Sequence, residues 1–142
     1  MSVPAPAAEM LVTFPGGKRV TASYGAFEIA TDQGLGSGGE AAAPEPFDLF
    51  LASLATCAGY YVLSFCSKRG LPFHDIRVVQ RWQRDAQHRI RTIALAIEVP
   101  PDFPAKYHDA LVRAASQCAV KRTLEDPPRF VVETVVREAS GS

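Results

Sequence analysis

The stretch PEPFDLFLASLATCAGYYVLSFCSKRG, from Pro44 to Gly70, decides the fold. Between Leu49 and Cys66 it carries no charge, and only Ser53, Thr56, Gly59 and Ser64 interrupt its apolar character. Pro46 suits a first helical turn, Asp48 complements the positive end of a helix dipole, Lys68 and Arg69 complement the other end, and Gly70 is a natural stop. These signals predict one helix of about 22 residues, roughly 33 Å long at ~1.5 Å per residue. A helix without a polar face must be covered on all sides, which a sheet on one flank and a second chain on the other would achieve. Cys57 lies at its middle and is the expected chemical centre.

Outward from this helix, composition sets bounds. A chain of 142 residues, 47% hydrophobic and 21% charged, suits a single domain with its own core. Fifteen basic residues against fifteen acidic ones leave no electrostatic footprint for nucleic acid or an anionic membrane surface, so neither partner is expected. The central run approaches the length of a membrane span. It is isolated, however, it holds small polar residues, and strand-like segments surround it, so a core helix is the expectation. The N-terminal MSVPAPAAEM lacks the basic start and apolar core of a signal peptide. Residues 1–9 therefore read as a loose Pro/Ala tail of a cytoplasmic protein, and residues 10–142 as one domain.

Before the helix, MLVTF, KRVTASY and AFEIATD carry β-branched and aromatic residues punctuated by Pro15, Gly16, Gly17 and Gly25, which predicts a meander of two or three short strands. The Gly- and Ala-rich QGLGSGGEAAAPEP is a loop leading into the helix, either a plain connection or the margin of a site. After Gly70, IRVVQRWQR and RIRTIALAIEVP predict an antiparallel hairpin turning at DAQH, with Ile93, Leu95 and Ile97 toward one face. Trp82, flanked by Arg81 and Arg84, could pack on a helix or stack with arginine. From Ala105, Tyr107, Leu111, Ala114, Ala115, Cys118 and Leu124 fall near one helical stripe, a second helix with a break near Cys118 left open. FVVETVVR, after Pro127 and Pro128, reads as a last strand. This order predicts an α+β fold with helices on one face of a mainly antiparallel sheet.

Three cysteines, an odd number, argue against a structural disulfide framework. Cys57 and Cys66 lie nine residues apart on one helix, roughly 13 Å along its axis. A disulfide needs Cα atoms within about 7 Å, so that pair is excluded. Cys118 belongs to the other helix, and contact between the helices would let Cys57 and Cys118 meet; Cys66 reads as core. There is no CxxC, and His74, His88 and His108 lie in separate segments, so neither a metal nor a cofactor is expected.

The strings P-x-P-F-D-L-F-L-A-S-L-A-T-C-A-G (Pro44 to Gly59), K-R-G-L (Lys68 to Leu71) and A-A-S-Q-C-A-V-K-R-T-L (Ala114 to Leu124) closely resemble the OsmC/Ohr family of osmotically inducible and organic-hydroperoxide-resistance proteins, in particular the branch labelled redox proteins. The resemblance implies an OsmC-like fold, in which a mainly antiparallel sheet wraps two central helices in an intertwined homodimer. It also implies a thiol peroxidase acting on organic hydroperoxides or hydrogen peroxide, with Cys57 peroxidatic and Cys118 resolving. A dithiol reductant, of lipoyl or another type, would reopen the disulfide. The carried-over roles extend to Arg19 as the cation beside the thiolate and Asp48 as the acid orienting it, with Glu45 in reserve. Ala119 stands where the family commonly has proline, and Tyr61 where one branch has an acid. One and two turns beyond Cys57, Tyr60, Tyr61 and Phe65 could wall an apolar substrate pocket or pack a dimer core. The alternative from another class is a non-catalytic module of the same fold that binds a small apolar ligand at the dimer interface.

Overall fold

The computed structural model describes residues 8–138, so the tail expected over residues 1–9 lies, except for its last two residues, outside them. The long helix, α1, spans Pro46–Lys68 with Pro46 in its first turn. Its start is tied by the Asp48 carboxylate, which accepts the Glu45 N–H at 3.0 Å. Its end is closed by Gly70, whose φ of 64° lets the Leu71 N–H turn back to the Cys66 carbonyl at 2.9 Å. Leu51, Leu54, Ala58, Val62 and Cys66, spaced by three or four residues, are the buried stripe. This helix is long and apolar enough to cross a membrane, as a core helix of a soluble fold also is; it packs on the hairpin strand β4 and the two later helices.

Strands β1 (Leu11–Gly16), β2 (Arg19–Tyr24) and β3 (Phe27–Thr31) form an antiparallel meander, the larger of the two strand counts that the turn signals allowed. Strands β4 (Arg77–Arg84) and β5 (Ile90–Glu98) form a separate antiparallel hairpin. Its turn is organised by Asp85, whose Oδ1 accepts the Gln87 and Arg89 N–H groups at 2.9 and 3.0 Å. On β4, Gln80 ties the hairpin to α1 by donating from Nε2 to the Leu51 carbonyl at 2.9 Å. Trp82 stays partly exposed opposite Ile93, and the arginine beside it, Arg84, sits over Phe47 at 5.8 Å.

Helix α2 (His108–Ala115) packs on α1, and α3 (Ala119–Glu125) follows after a break. That break resolves the open question near Cys118. At the end of α2 the Ser116 hydroxyl donates to the Val112 carbonyl at 2.8 Å, and Cys118 takes an extended backbone, φ −48° and ψ 122°, as the cap of α3. The core joins Val62, Cys66, Phe103 and Leu111, with Phe65, Phe73, Ile97 and Tyr107 packed against it. Leu124, placed near the same helical stripe by periodicity, lies on α3 beyond the break and is 53% exposed.

The fold is α+β, but its strands make two sheets. The meander leaves Leu11, Val12, Phe14, Phe27 and Ile29 exposed, and its ladders join only its own strands. The segment expected as a last strand, 130–137, is not one: it makes no ladder with either sheet, and Phe130, Val132, Val135 and Val136 are exposed. A strand exists only by pairing, and among the described residues this segment meets no partner edge.

Candidate active site

The core positions of α1 face one way, and Cys57, one residue before buried Ala58, stands at the margin of the buried stripe, partly exposed. Cys118 is buried, 2% exposed, at the α2–α3 break. Contact of α1 with α2 and α3 brings the two thiols together. Cys118 replaces the usual oxygen of a helix cap with sulfur: its Sγ accepts the Lys121 N–H at 3.4 Å, and its thiol points to the Leu54 carbonyl at 3.8 Å.

This arrangement divides the two cysteines electrostatically. Burial pushes the Cys57 thiol upward, but the Cys118 side chain and the backbone N–H groups of Val120 and Ala119 close to it favour its ionised form and together hold it below the ordinary thiol value. Cys118 moves the other way, chiefly because it is buried and further because an ionised neighbour at Cys57 disfavours a second negative charge. The pair therefore consists of one thiol poised to ionise and one poised to remain protonated. Cys66, fully buried among core side chains, is raised by burial and takes no part.

The other residues singled out from sequence lie elsewhere. Arg19 pairs with Glu40, Nη2 to Oε1 at 3.1 Å. Asp48 caps α1, and Glu45 accepts the Gly34 N–H at 3.0 Å. None of these bonds involves Cys57. The Glu40 link runs through Asp32, a residue not singled out from the sequence, which is 1% exposed. Its carboxylate accepts the N–H groups of Gln33, Glu40 and Ala42 at 2.7, 3.2 and 3.1 Å, closing the Gly-rich loop on itself. An Asp opening a loop of glycines was a readable cue for such a closure. The Ala119 and Val120 N–H groups were not readable, because backbone donors carry no residue signature.

A cavity of about 710 Å³ opens between β5 and the helices. Leu54, Ala58, Leu95, Leu111, Ala115 and Cys118 are among its lining residues, and Arg91 and Lys121 contribute to it. Tyr60, Tyr61 and Phe65, expected to wall a pocket, are not among them. Tyr60 and Tyr61 pack edge to face at 5.4 Å on the open side of α1, and Phe65 lies between Tyr107, at 5.7 Å, and the Arg69 guanidinium, at 3.7 Å. Among the described residues no three His, Cys, Asp or Glu side chains gather as a metal site would require.

Fold and site together define a small α+β domain in which a thiol on a long central helix meets a second thiol at the start of another helix. The chain belongs to the OsmC-like protein family, whose model matches residues 37–133. Among solved structures it resembles a candidate osmotic stress induced and detoxification response protein from Psychrobacter arcticus, with a TM-score of 0.71 and 21% identity over 87% of this chain and 91% of that one. It also resembles an OsmC-like protein from Mycoplasma pneumoniae, with a TM-score of 0.66 and 16% identity over 86% and 89% of the two chains. A third is an OsmC-like protein of unknown function from Vibrio cholerae, with a TM-score of 0.60 and 12% identity over 85% and 95%. At these identities the likeness is one of fold. A comparison with curated proteins finds no match.

Proposed function

We propose that this protein is a cytoplasmic, thiol-dependent peroxidase for organic hydroperoxides or hydrogen peroxide, working as a homodimer. The observation that carries the reading is the environment of Cys57, whose sulfur is met by the Cys118 thiol and two backbone N–H groups. The Cys57 thiolate attacks one peroxide oxygen, the O–O bond breaks, and the departing alkoxide takes a proton to leave as alcohol. Cys57 is then a sulfenic acid. The Cys118 thiol condenses with it, forming the disulfide and releasing water, and a dithiol reductant reopens the bond by exchange.

The dimer is supported by surfaces that the single chain leaves open: the meander, the outer face of α1 with Phe47, Tyr60 and Leu63, and the unpaired apolar segment 130–136. In this reading Arg19, held by Glu40 rather than Asp48, serves a Cys57 across the dimer. The large apolar cavity favours a second reading, a non-catalytic module holding a small apolar ligand. Reactivity separates the two. Reduced protein mixed with cumene hydroperoxide or hydrogen peroxide in a stopped-flow instrument, followed by Trp82 fluorescence and mass spectrometry, is expected to form a Cys57–Cys118 disulfide rapidly, and the reaction to vanish in Cys57→Ser. Oxidation no faster than that of a free thiol would leave the ligand-binding reading.

A further inference from the structure

Helix α3 is a weak element held at its start by sulfur. Its seven residues, Ala119–Glu125, include no buried side chain, and a helix this short does not persist on its own. Its ion pair, Lys121 with Glu125 at 3.4 Å, is exposed on both sides and adds little. What fixes its first turn is the Cys118 cap, whose Sγ accepts the Lys121 N–H at 3.4 Å. We propose that joining Cys118 to Cys57 in a disulfide withdraws this cap, releases α3 and opens the part of the cavity wall that Lys121 and Leu124 form. The switch needs only the disulfide, whichever oxidant makes it, and so goes beyond the peroxidase reading.

A helix opens with four N–H groups that have no partner within it. In α3 the Cys118 N–H finds the Ala115 carbonyl at 3.4 Å; the other three depend on the two cysteines. The Lys121 N–H donates to Cys118 Sγ, and those of Ala119 and Val120 lie close to Cys57 and favour its ionised form. Oxidation changes both partners at once. The negative charge on Cys57 is gone, and an S–S bond of about 2.05 Å draws the Cys118 sulfur off the cap position toward α1. The contact of the Cys118 thiol with the Leu54 carbonyl, 3.8 Å long, is lost as well, because its proton has left. Lys121 and Leu124 line the cavity together with Leu54, Ala58 and Leu111, and Cys118 is 2% exposed in the reduced protein. Release of α3 therefore uncovers the disulfide and an apolar surface that the reduced protein covers.

Atoms and electrons balance with an azo oxidant such as diamide. The Cys57 thiolate adds to one nitrogen of the N=N bond, and the other nitrogen takes a proton. Cys118 then loses its proton and attacks the Cys57 sulfur of that adduct; the S–S bond forms as the S–N bond breaks. The electron pair leaves on nitrogen, which takes the second proton, so the two thiols are oxidised to the disulfide and diamide is reduced to a hydrazine.

Hydrogen exchange of the reduced and the diamide-oxidised protein tests this, read at the amides of residues 121–125 with α2 as internal reference. Oxidation is expected to speed exchange across α3 about fivefold, the factor that losing an ordinary helix cap corresponds to, and to leave α2 unchanged. Trypsin, cutting after Lys121 and Arg122, is expected to cleave the oxidised protein faster by a similar factor. Two variants that cannot form the disulfide isolate the cap. Reduced Cys118→Ser keeps a capping oxygen and is expected to hold α3 as the unaltered protein does. Reduced Cys118→Ala has no cap and is expected to exchange α3 about fivefold faster, as the oxidised protein does. Identical exchange in these two variants overturns the role of the cap. If diamide forms the disulfide and α3 stays protected, the switch is overturned while the peroxidase reading stands. Absence of the disulfide under diamide overturns both.

Discussion

The backbone N–H of Ala119, at the first helical position of α3 directly after the Cys118 cap, is among the groups that favour the ionised form of Cys57. Proline is tolerated at that position, and the extended backbone of Cys118 already suits a residue preceding proline. Ala119→Pro therefore removes one of those groups without breaking the helix. The pH midpoint for alkylation of Cys57 by iodoacetamide is expected to rise, with an unchanged circular dichroism spectrum; an unmoved midpoint would remove the backbone from thiolate stabilisation. In the unaltered protein Cys57 is expected to alkylate first, since Cys118 and Cys66 are both buried and both shifted upward by burial. That Cys57 and Cys118 formed the pair with a chance to meet was legible from helical spacing. Which of them ionises was not, because the deciding groups are peptide N–H groups brought up by a break in a helix.

At the scale of an element, the Gly-rich loop between β3 and α1 depends on Asp32 and Gly39. A Cβ on Gly39 would collide with the Gln33 carbonyl, so Gly39→Ala is expected to destabilise the protein by about 1–3 kcal/mol, the range of overpacked sites, read as a lower midpoint in urea. The Asp32 carboxyl is held below the usual carboxylate range by the N–H groups of Ala42, Gln33 and Glu40. A folded pKa below the unfolded one contributes stability that is complete above the unfolded value, near pH 4, and disappears as pH falls through the folded value. Hydrogen exchange within residues 33–42 should thus stay protected from pH 7 to about pH 5 and lose protection below about pH 4. Protection that persists at low pH would mean the loop is held without the carboxylate. The bounds of α1 and of the β4–β5 hairpin were readable, since capping residues, a terminal glycine and alternation are local signals. The Arg19–Glu40–Asp32 chain was not readable, because it links positions 21 residues apart in sequence through a closure that only the folded loop creates.

For the whole molecule, the open question is what covers the outer face of α1 and the meander. Gly59 reports on this directly: among the described residues, nothing beyond its chain neighbours and its own helix's backbone lies within 4 Å of where its Cβ would stand. In an isolated chain Gly59→Ala should stabilise α1 by about 1 kcal/mol through helix propensity alone. In the proposed homodimer, with a second α1 against this face, the same change should lower the melting temperature and weaken association, both measurable by calorimetry and sedimentation velocity. A stabilised variant of unchanged mass would place the dimer contact elsewhere. Sequence alone determined α1, the meander, the β4–β5 hairpin, the α+β class, the family resemblance and the pair of cysteines, since helix caps, periodicity and motif spacing are carried by residues close together in the chain. Tertiary structure alone decided that the strands form two sheets, that segment 130–137 finds no edge among the described residues, that Arg19 answers to Glu40, and that the cavity reaches Cys118. Each of those depends on which distant surfaces meet, and a sheet edge, an ion pair or a cavity has no existence until they do.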